Sequence, residues 1–369
     1  MTLKTDLQAK SAQIDGLRDS IAADASTLVT RISELDALID DVGEPEVPEP
    51  LVPVIRTGFA TSFATPFYPH SIRFYEGYIY LTTVGGRPIT PYTTENSKLN
   101  KINPATGLVV ASYSAGPYGW GTPGNGGTGG MNGFDIYEGV AYCANNRYGF
   151  GDCEMIAVNL SDMSEIARVS LGAGICRHAV FINGKVWATV DGQHKVKRID
   201  PSTWTVDLDI STHNKPFRMI AADGSLWIAC FDADSVRRIN PDTGATITTI
   251  TTGDQPNWFD VDPDTGLIYI ACYTGNIIQV INPATNGIST LATLSSDFPH
   301  HAMPLYNELW VACSGSAKIK IFDKVTGTLK QTKTVGPNPP SLCFDGSSVW
   351  HGCGNNETLQ RHLAEIFYA

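Results

Sequence analysis

Short apolar runs, each preceded by a tight polar turn, recur along most of this 369-residue chain. Anchored on the glycine or its equivalent before each run, they read GYIYL at 77, GVAYC at 139, GKVWA at 184, GSLWI at 224, GLIYI at 266, NELWV at 307 and SSVWH at 347. Successive separations are 62, 45, 40, 42, 41 and 40 residues. In Leu226–Cys230 and Ile268–Cys272 both alternating faces are apolar, which predicts strands covered on both sides. One unit, Gly224 to Thr265, reads as a turn, an apolar strand, a second strand, an Asn-Pro turn, a Thr-rich third strand and a fourth that opens the next copy. A period near 40 with four strands per unit predicts an all-β chain, a propeller of seven blades.

The connections fit that reading. Asn/Asp-Pro-x-Thr-Gly segments at Ile102 (INPATG), Ile239 (INPDTG) and Ile281 (INPATN) supply a side chain that bonds its own backbone, a preset φ and a residue tolerant of positive φ. Variants at Ile199, Phe322 and Val158 keep the place without the full signature. The last repeat has three clear strands, and LVPVIRTG (51–58) reads as an outermost strand with nothing earlier to pair with. Ring closure follows: the N-terminal strand, about 51–58, completes a mixed seventh blade and removes two open edges.

The string TGDQPNWFDVDPDTGLIYIACYTGNIIQVINPAT closely resembles the YVTN-type propeller repeat and is similar to the NHL and streptogramin-lyase propellers. The resemblance runs from about Val52 to the C-terminus. It implies the fold and leaves function open, because that repeat occurs in enzymes, surface proteins and binding modules.

Ahead of the repeats, Leu7, Ile14, Ile21, Leu28, Leu35 and Val42 recur at a strict seven, with a second row that drifts from Leu3 and Leu17 to Ala25, Ile32 and Ile39. Residues 1–42 are therefore expected to be an α-helical coiled coil that oligomerises the chain, as a trimer by family-level analogy. The alternative is a single amphipathic helix packed on the propeller. Residues 43–53 (GEPEVPEPLVP) form a Pro-rich spacer, and 54–369 the propeller head.

The net charge of -11 argues against duplex-DNA binding. It is concentrated in residues 1–50, where 4 Lys/Arg face 11 Asp/Glu. No secretory signal or eighteen-residue apolar run is visible, so no membrane insertion is expected. Five cysteines, Cys143, Cys230, Cys272, Cys313 and Cys353, are read as closing the same strand in five blades, where a small buried residue suits better than a disulfide. Cys143 and Cys153 are the one pair to test for a bond. No metal-ligand spacing occurs, and neither metal nor cofactor is expected.

Counting back from each anchor gives one column, His70, Gly133, His178, Arg218, Trp258, His301 and Ser341, with His300 adjacent. These residues, or their neighbours, should ring the top of the central channel. Three histidines there suit either metal binding or acid–base work, as in the lyases the repeat resembles. Against it, no acidic partner stands in the column, and the strand ends carry VAC, IAC and ATV where streptogramin lyases are expected to carry a glutamate. A polar lining of a wet channel is the alternative, and no catalytic residue is assigned. Asp260, Asp262 and Asp264 read as turn residues rather than a calcium loop.

Three long top-face loops carry Tyr92, Tyr118, Trp120, Tyr148 and Phe150, which offer a receptor or glycan surface or else order the loops themselves. With the helical stalk and Pro-rich joint, the plan resembles a bacteriophage tail or virion fibre. The expectation is a non-enzymatic virion protein, made in the host cytoplasm, joined to other virion proteins through its N-terminal region and presenting heads to a host-surface glycan or protein. The alternative is a propeller lyase or glycan-cleaving enzyme using the histidine-lined channel mouth.

Overall fold

The computed structural model describes residues 61–65, 68–84, 97–116, 130–147, 152–354 and 357–363. The coiled-coil positions Leu7, Ile14, Ile21, Leu28 and Leu35, the Pro-rich spacer and the strand expected at 51–58 lie outside them. The chain divides into two compact units, residues 58–364 and the two ends, and the description concerns the first.

Among the described residues the fold is all-β: 28 strands in four-stranded antiparallel sheets, seven in number once the eight-stranded sheet is divided at its single Val84–Gly130 bridge. The innermost strands are Tyr68–Tyr75, Gly130–Tyr137, Cys176–Ile182, Pro216–Ala222, Pro256–Val261, Pro299–Leu305 and Leu342–Phe344, which set blades 1 to 7. Each contacts the next, and the last contacts the first, so the sheets close a ring. Blade 7 is mixed: Leu342–Phe344, Ser348–Cys353 and Thr358–Leu363 are completed by Thr61–Ala64, paired antiparallel to Thr358–Leu363. The closing strand thus lies beyond the segment 51–58 expected for it. Phe63 stacks on Trp350 at 5.8 Å and covers Gly107 of blade 1, an aromatic anchor that 51–58 lacks.

Burial follows strand position. The second strands Ser225–Cys230 and Ser348–Cys353 are buried throughout, whereas the outer strand Leu329–Thr334 is almost wholly exposed. Apolar clusters fill the spaces between adjacent blades, one joining Trp227 and Ala229 to Phe259 and Ile270. Stacked blades therefore supply the two-sided cover that the second strands require.

The turn chemistry is as the sequence implies. Asn103, Asn159, Asp200, Asn240, Asn282 and Asp323 each accept, through Oδ1, the backbone N–H two residues on, at 2.8–3.0 Å. Basic residues of the third strands tie blades together at these turns. Arg198 donates to Pro241 O at 3.2 Å, Arg238 to Pro283 O at 2.6 Å and Arg361 to Pro104 O at 2.9 Å. Their guanidinium groups lie 5.8, 4.8 and 5.3 Å from the rings of Trp187, Trp227 and Trp350. Each thus gains a cation–π contact while linking its blade to the next.

All eight cysteines are free and buried. Cys143 packs between blades 1 and 2 and Cys153 between blades 2 and 3, so the pair faces opposite sides of one sheet and cannot bond. Only four of the five expected cysteines share a register: Cys230, Cys272 and Cys313 pair with the prolines that open their inner strands, and Cys353 ends its strand likewise, while Cys143 lies two residues earlier.

Candidate active site in the propeller channel

Six of the seven inner strands carry a bulge one or two residues after they begin, as between Pro299 and His301 or Pro216 and Met219. The extra residue turns the side chains that follow toward the channel axis. It also sets which residues are level. His301 pairs with Ala312 and Ser71 with Thr82, each the first pair after the bulge. The upper row is therefore Ser71, Gly133, His178, Arg218, Trp258, His301 and Ser341. Ser341 stands where counting back places it, whereas His70 belongs one residue higher, level with His300.

The upper row is closed and packed. His178, Arg218, Trp258 and His301 are at most 1% exposed. His301 Nδ1 accepts the Leu342 N–H of blade 7 at 2.9 Å, and His178 Nδ1 accepts the Met219 N–H of blade 4 at 3.3 Å. Both rings thereby carry their proton on Nε2. The two histidines brace neighbouring blades, a contribution of about 1 kcal/mol for each bond. Burial holds the pKa of both down, and that of His178 and of His70 well down; His300, which bonds Pro340 O at 2.6 Å, is pushed down to about 3. All four are neutral at pH 7.

Trp258 occupies the middle of this layer, stacked on His301 at 4.9 Å and under the Arg218 guanidinium at 3.9 Å. Arg218 crosses the channel from blade 4: its Nη1 donates to Arg177 O at 3.0 Å and lies where a Cβ on Gly133 of blade 2 would stand. No carboxylate pairs with it among the described residues. A desolvated cation–π contact is worth about 2 kcal/mol, against several kcal/mol for burying an unpaired ion. Burial and the nearby Arg177 and Arg73 charges accordingly push the Arg218 pKa well below its usual value.

Two residues further along each strand, side chains return to the channel, as a period of two requires. This lower row is Arg73, Asp135, Val180, Ile220, Asp260, Met303 and Cys343, and all seven line a cavity of about 480 Å³ whose wall also includes His178 and Phe344. Asp260, with 29% of its side chain exposed, accepts the His301 Nε2–H at 2.8 Å. Asp135 accepts the Ile136 and Phe181 N–H groups, both at 3.0 Å, yet burial outweighs these bonds and the Arg73 charge and raises its pKa. A half-apolar cavity with an arginine, two carboxylates and a carboxylate-bound histidine is a candidate catalytic site.

An acidic partner for the histidine column therefore exists, in the row below. Asp260 is not a turn residue, while Asp262 and Asp264 are: both bind Lys324 of blade 6, Asp262 at 2.9 Å. Adding two to Gly133 and Trp258 of the counted column reaches Asp135 and Asp260, the latter read as a turn residue, whereas Arg73 stands two beyond Ser71 and was hidden by starting blade 1 from His70. The loop aromatics Tyr92, Tyr118, Trp120, Tyr148 and Phe150 lie outside the described residues.

No protein-family profile matches the chain, and no curated protein does. Solved structures do. A streptogramin B lyase structure is similar at TM-score 0.66 and 16% identity, over 83% of this chain and 98% of that one. The virginiamycin B lyase of Staphylococcus aureus follows at TM-score 0.65 and 15% identity, over 83% and 99%. A catalytically inactive histidine-to-alanine form of that lyase, with Quinupristin, gives 0.63 and 14% over the same shares. At such identities the likeness shows the fold, a β-propeller. The expectation of a non-enzymatic virion fibre is corrected with it: the solved structures that this propeller resembles are lyases.

Proposed function

We propose that the protein is a propeller enzyme of the lyase kind, acting in the axial cavity rather than at the opposite mouth of the channel. The observation that carries this is the Asp260–His301 pair, held at 2.8 Å with the carboxylate facing the cavity and the imidazole locked by Leu342 N–H. His301 has both nitrogens engaged, so it positions and Asp260 reacts. Asp260 takes a proton from the carbon beside a substrate carbonyl. Arg73, on the same cavity wall, stabilises the charge that the carbonyl oxygen gains. Asp135, whose raised pKa favours the protonated form, returns a proton to the leaving group. The apolar walls of Val180, Ile220, Met303 and Phe344 suit a substrate with bulky apolar groups.

Streptogramin B and Quinupristin, the compounds named with the similar structures, are the first to test, with cleavage read by mass spectrometry. Asp260→Asn keeps the shape and removes the base, so the variant should stay folded and lose turnover. Equal turnover by wild type and variant would sink the reading.

A further inference from the structure

Among the described residues, seven of the eleven buried side-chain nitrogens and oxygens without a hydrogen-bond partner lie in the inner strands: His70 Nδ1, Ser71 Oγ, Asn132 Oδ1, His178 Nε2, Arg218 Nε and Nη2, and Asn257 Oδ1. Such groups are rare in native interiors, and a cluster of them calls for a reason. The donors are the telling part. Arg218 is 1% exposed, presents on one edge of a planar fork Nε and Nη2 groups without a hydrogen-bond partner, and has among the described residues the faces of Trp258 and Phe217 and a backbone oxygen to offset its charge.

We propose that the channel binds a small oxyanion, of carboxylate or phosphate type, on the Nε and Nη2 edge of Arg218, with His178 Nε2–H as a further donor. The fork spacing matches two oxygens of one such group, which a point charge would not need. The hydrogen bond from Met219 N–H fixes the His178 tautomer so that the unpartnered nitrogen is a donor. The surrounding potential is positive: Arg73 lies 5.7 Å from the Trp258 ring, and Arg177, whose own charge is shared with Asp191, supplies the backbone oxygen that holds Nη1. His178 also stands on the wall of the 480 Å³ cavity, which gives an anion a route in. Gly133 makes the arrangement possible, because a Cβ there would come within 2.3 Å of Arg218 Nη1. The inference goes beyond the lyase reading and needs no turnover.

The full-length protein, exchanged into a zwitterionic buffer at neutral pH, is titrated with sodium acetate and separately with inorganic phosphate, at an ionic strength held constant with sodium chloride. The melting midpoint should rise saturably, with a matching heat of binding. A response to acetate identifies a carboxylate site, and one to phosphate alone a phosphate site. Arg218→Lys, which keeps charge but loses the fork, should weaken binding at least ten-fold. Arg218→Met should abolish the response and melt no lower than the wild type in the oxyanion-free buffer, since it removes an unpaired buried charge. Absence of a saturable response to both anions overturns the proposal, as does wild-type binding by Arg218→Lys, which decides the matter should Arg218→Met fail to fold. Because no activity is measured, this result and that of the lyase test are separate.

Discussion

The upper and lower rows of the channel come from the same inner strands, two residues apart, and differ in what surrounds them. In the upper row His178 and His301 spend their Nδ1 lone pairs on backbone N–H groups of the next blade, and Trp258 fills the space between. In the lower row Arg73, Asp135 and Asp260 face a cavity. Histidine in a channel invites a catalytic reading, yet here it is mainly a brace, and the groups free to react are the carboxylates beneath. The comparison teaches that a ring position alone does not distinguish the two uses; what each ring nitrogen bonds to does.

The largest expected effect separates the rows by activity. Asp260→Asn should lower kcat by roughly 10² to 10⁴-fold with a melting midpoint close to that of the wild type, measured on whichever streptogramin-like substrate is cleaved. An inactive protein that has also lost several degrees would place Asp260 with the braces. Next is Trp258→Ala, expected to cost about 3–5 kcal/mol in urea unfolding, the range for a buried aromatic; a cost near 1 kcal/mol would mean that the upper row is not packed as a unit.

Acid should discriminate next. Burial depresses His70, His178, His300 and His301 in the channel, and His351 and His362 in blade 7, the last two to about 3 and about 4. His351 and His362 share an Nε2 to Nε2 contact of 3.0 Å, which only one proton can bridge. Their folded pKa values lie below the unfolded value near 6.5, so the unfolded chain takes up protons first as pH falls. Stability is full above pH 6.5 and is lost progressively toward pH 3 to 4, by up to about 1.4 kcal/mol per pH unit for each histidine held neutral. Urea unfolding at pH 7 and pH 5 checks this, and equal stability at both would contradict it. The smallest effect is expected from Gly133→Ala, whose Cβ must displace His178 and Arg218; about 1–3 kcal/mol is lost, read as a lower melting midpoint.

Much of the fold was legible because its causes are local. The Asx turns, the two-sided apolar second strands and the repeat of about 40 residues are written in short strings such as INPDTG and GSLWIAC, and each predicts its own geometry. The closing strand was placed too early because what fixes it, Phe63 against Trp350 and Gly107, joins residues far apart in sequence. In the channel the count from the anchors set blade 1 one residue too high, so His70 was put in the row that belongs to Ser71, while Ser341 was placed correctly. Asp260 and His301, 41 residues apart, are one repeat from each other; only the closed ring makes that separation a contact of 2.8 Å.

Periodicity, turn chemistry and apolar spacing in the chain were enough to determine a seven-fold array of four-stranded units. The tertiary structure decided which residues stand level in the channel, because bulges and ring closure depend on how blades meet. It also decided the state of each titratable group, since burial and the partner across the blade boundary set whether a histidine braces, an aspartate reacts or an arginine is left without a counter-charge.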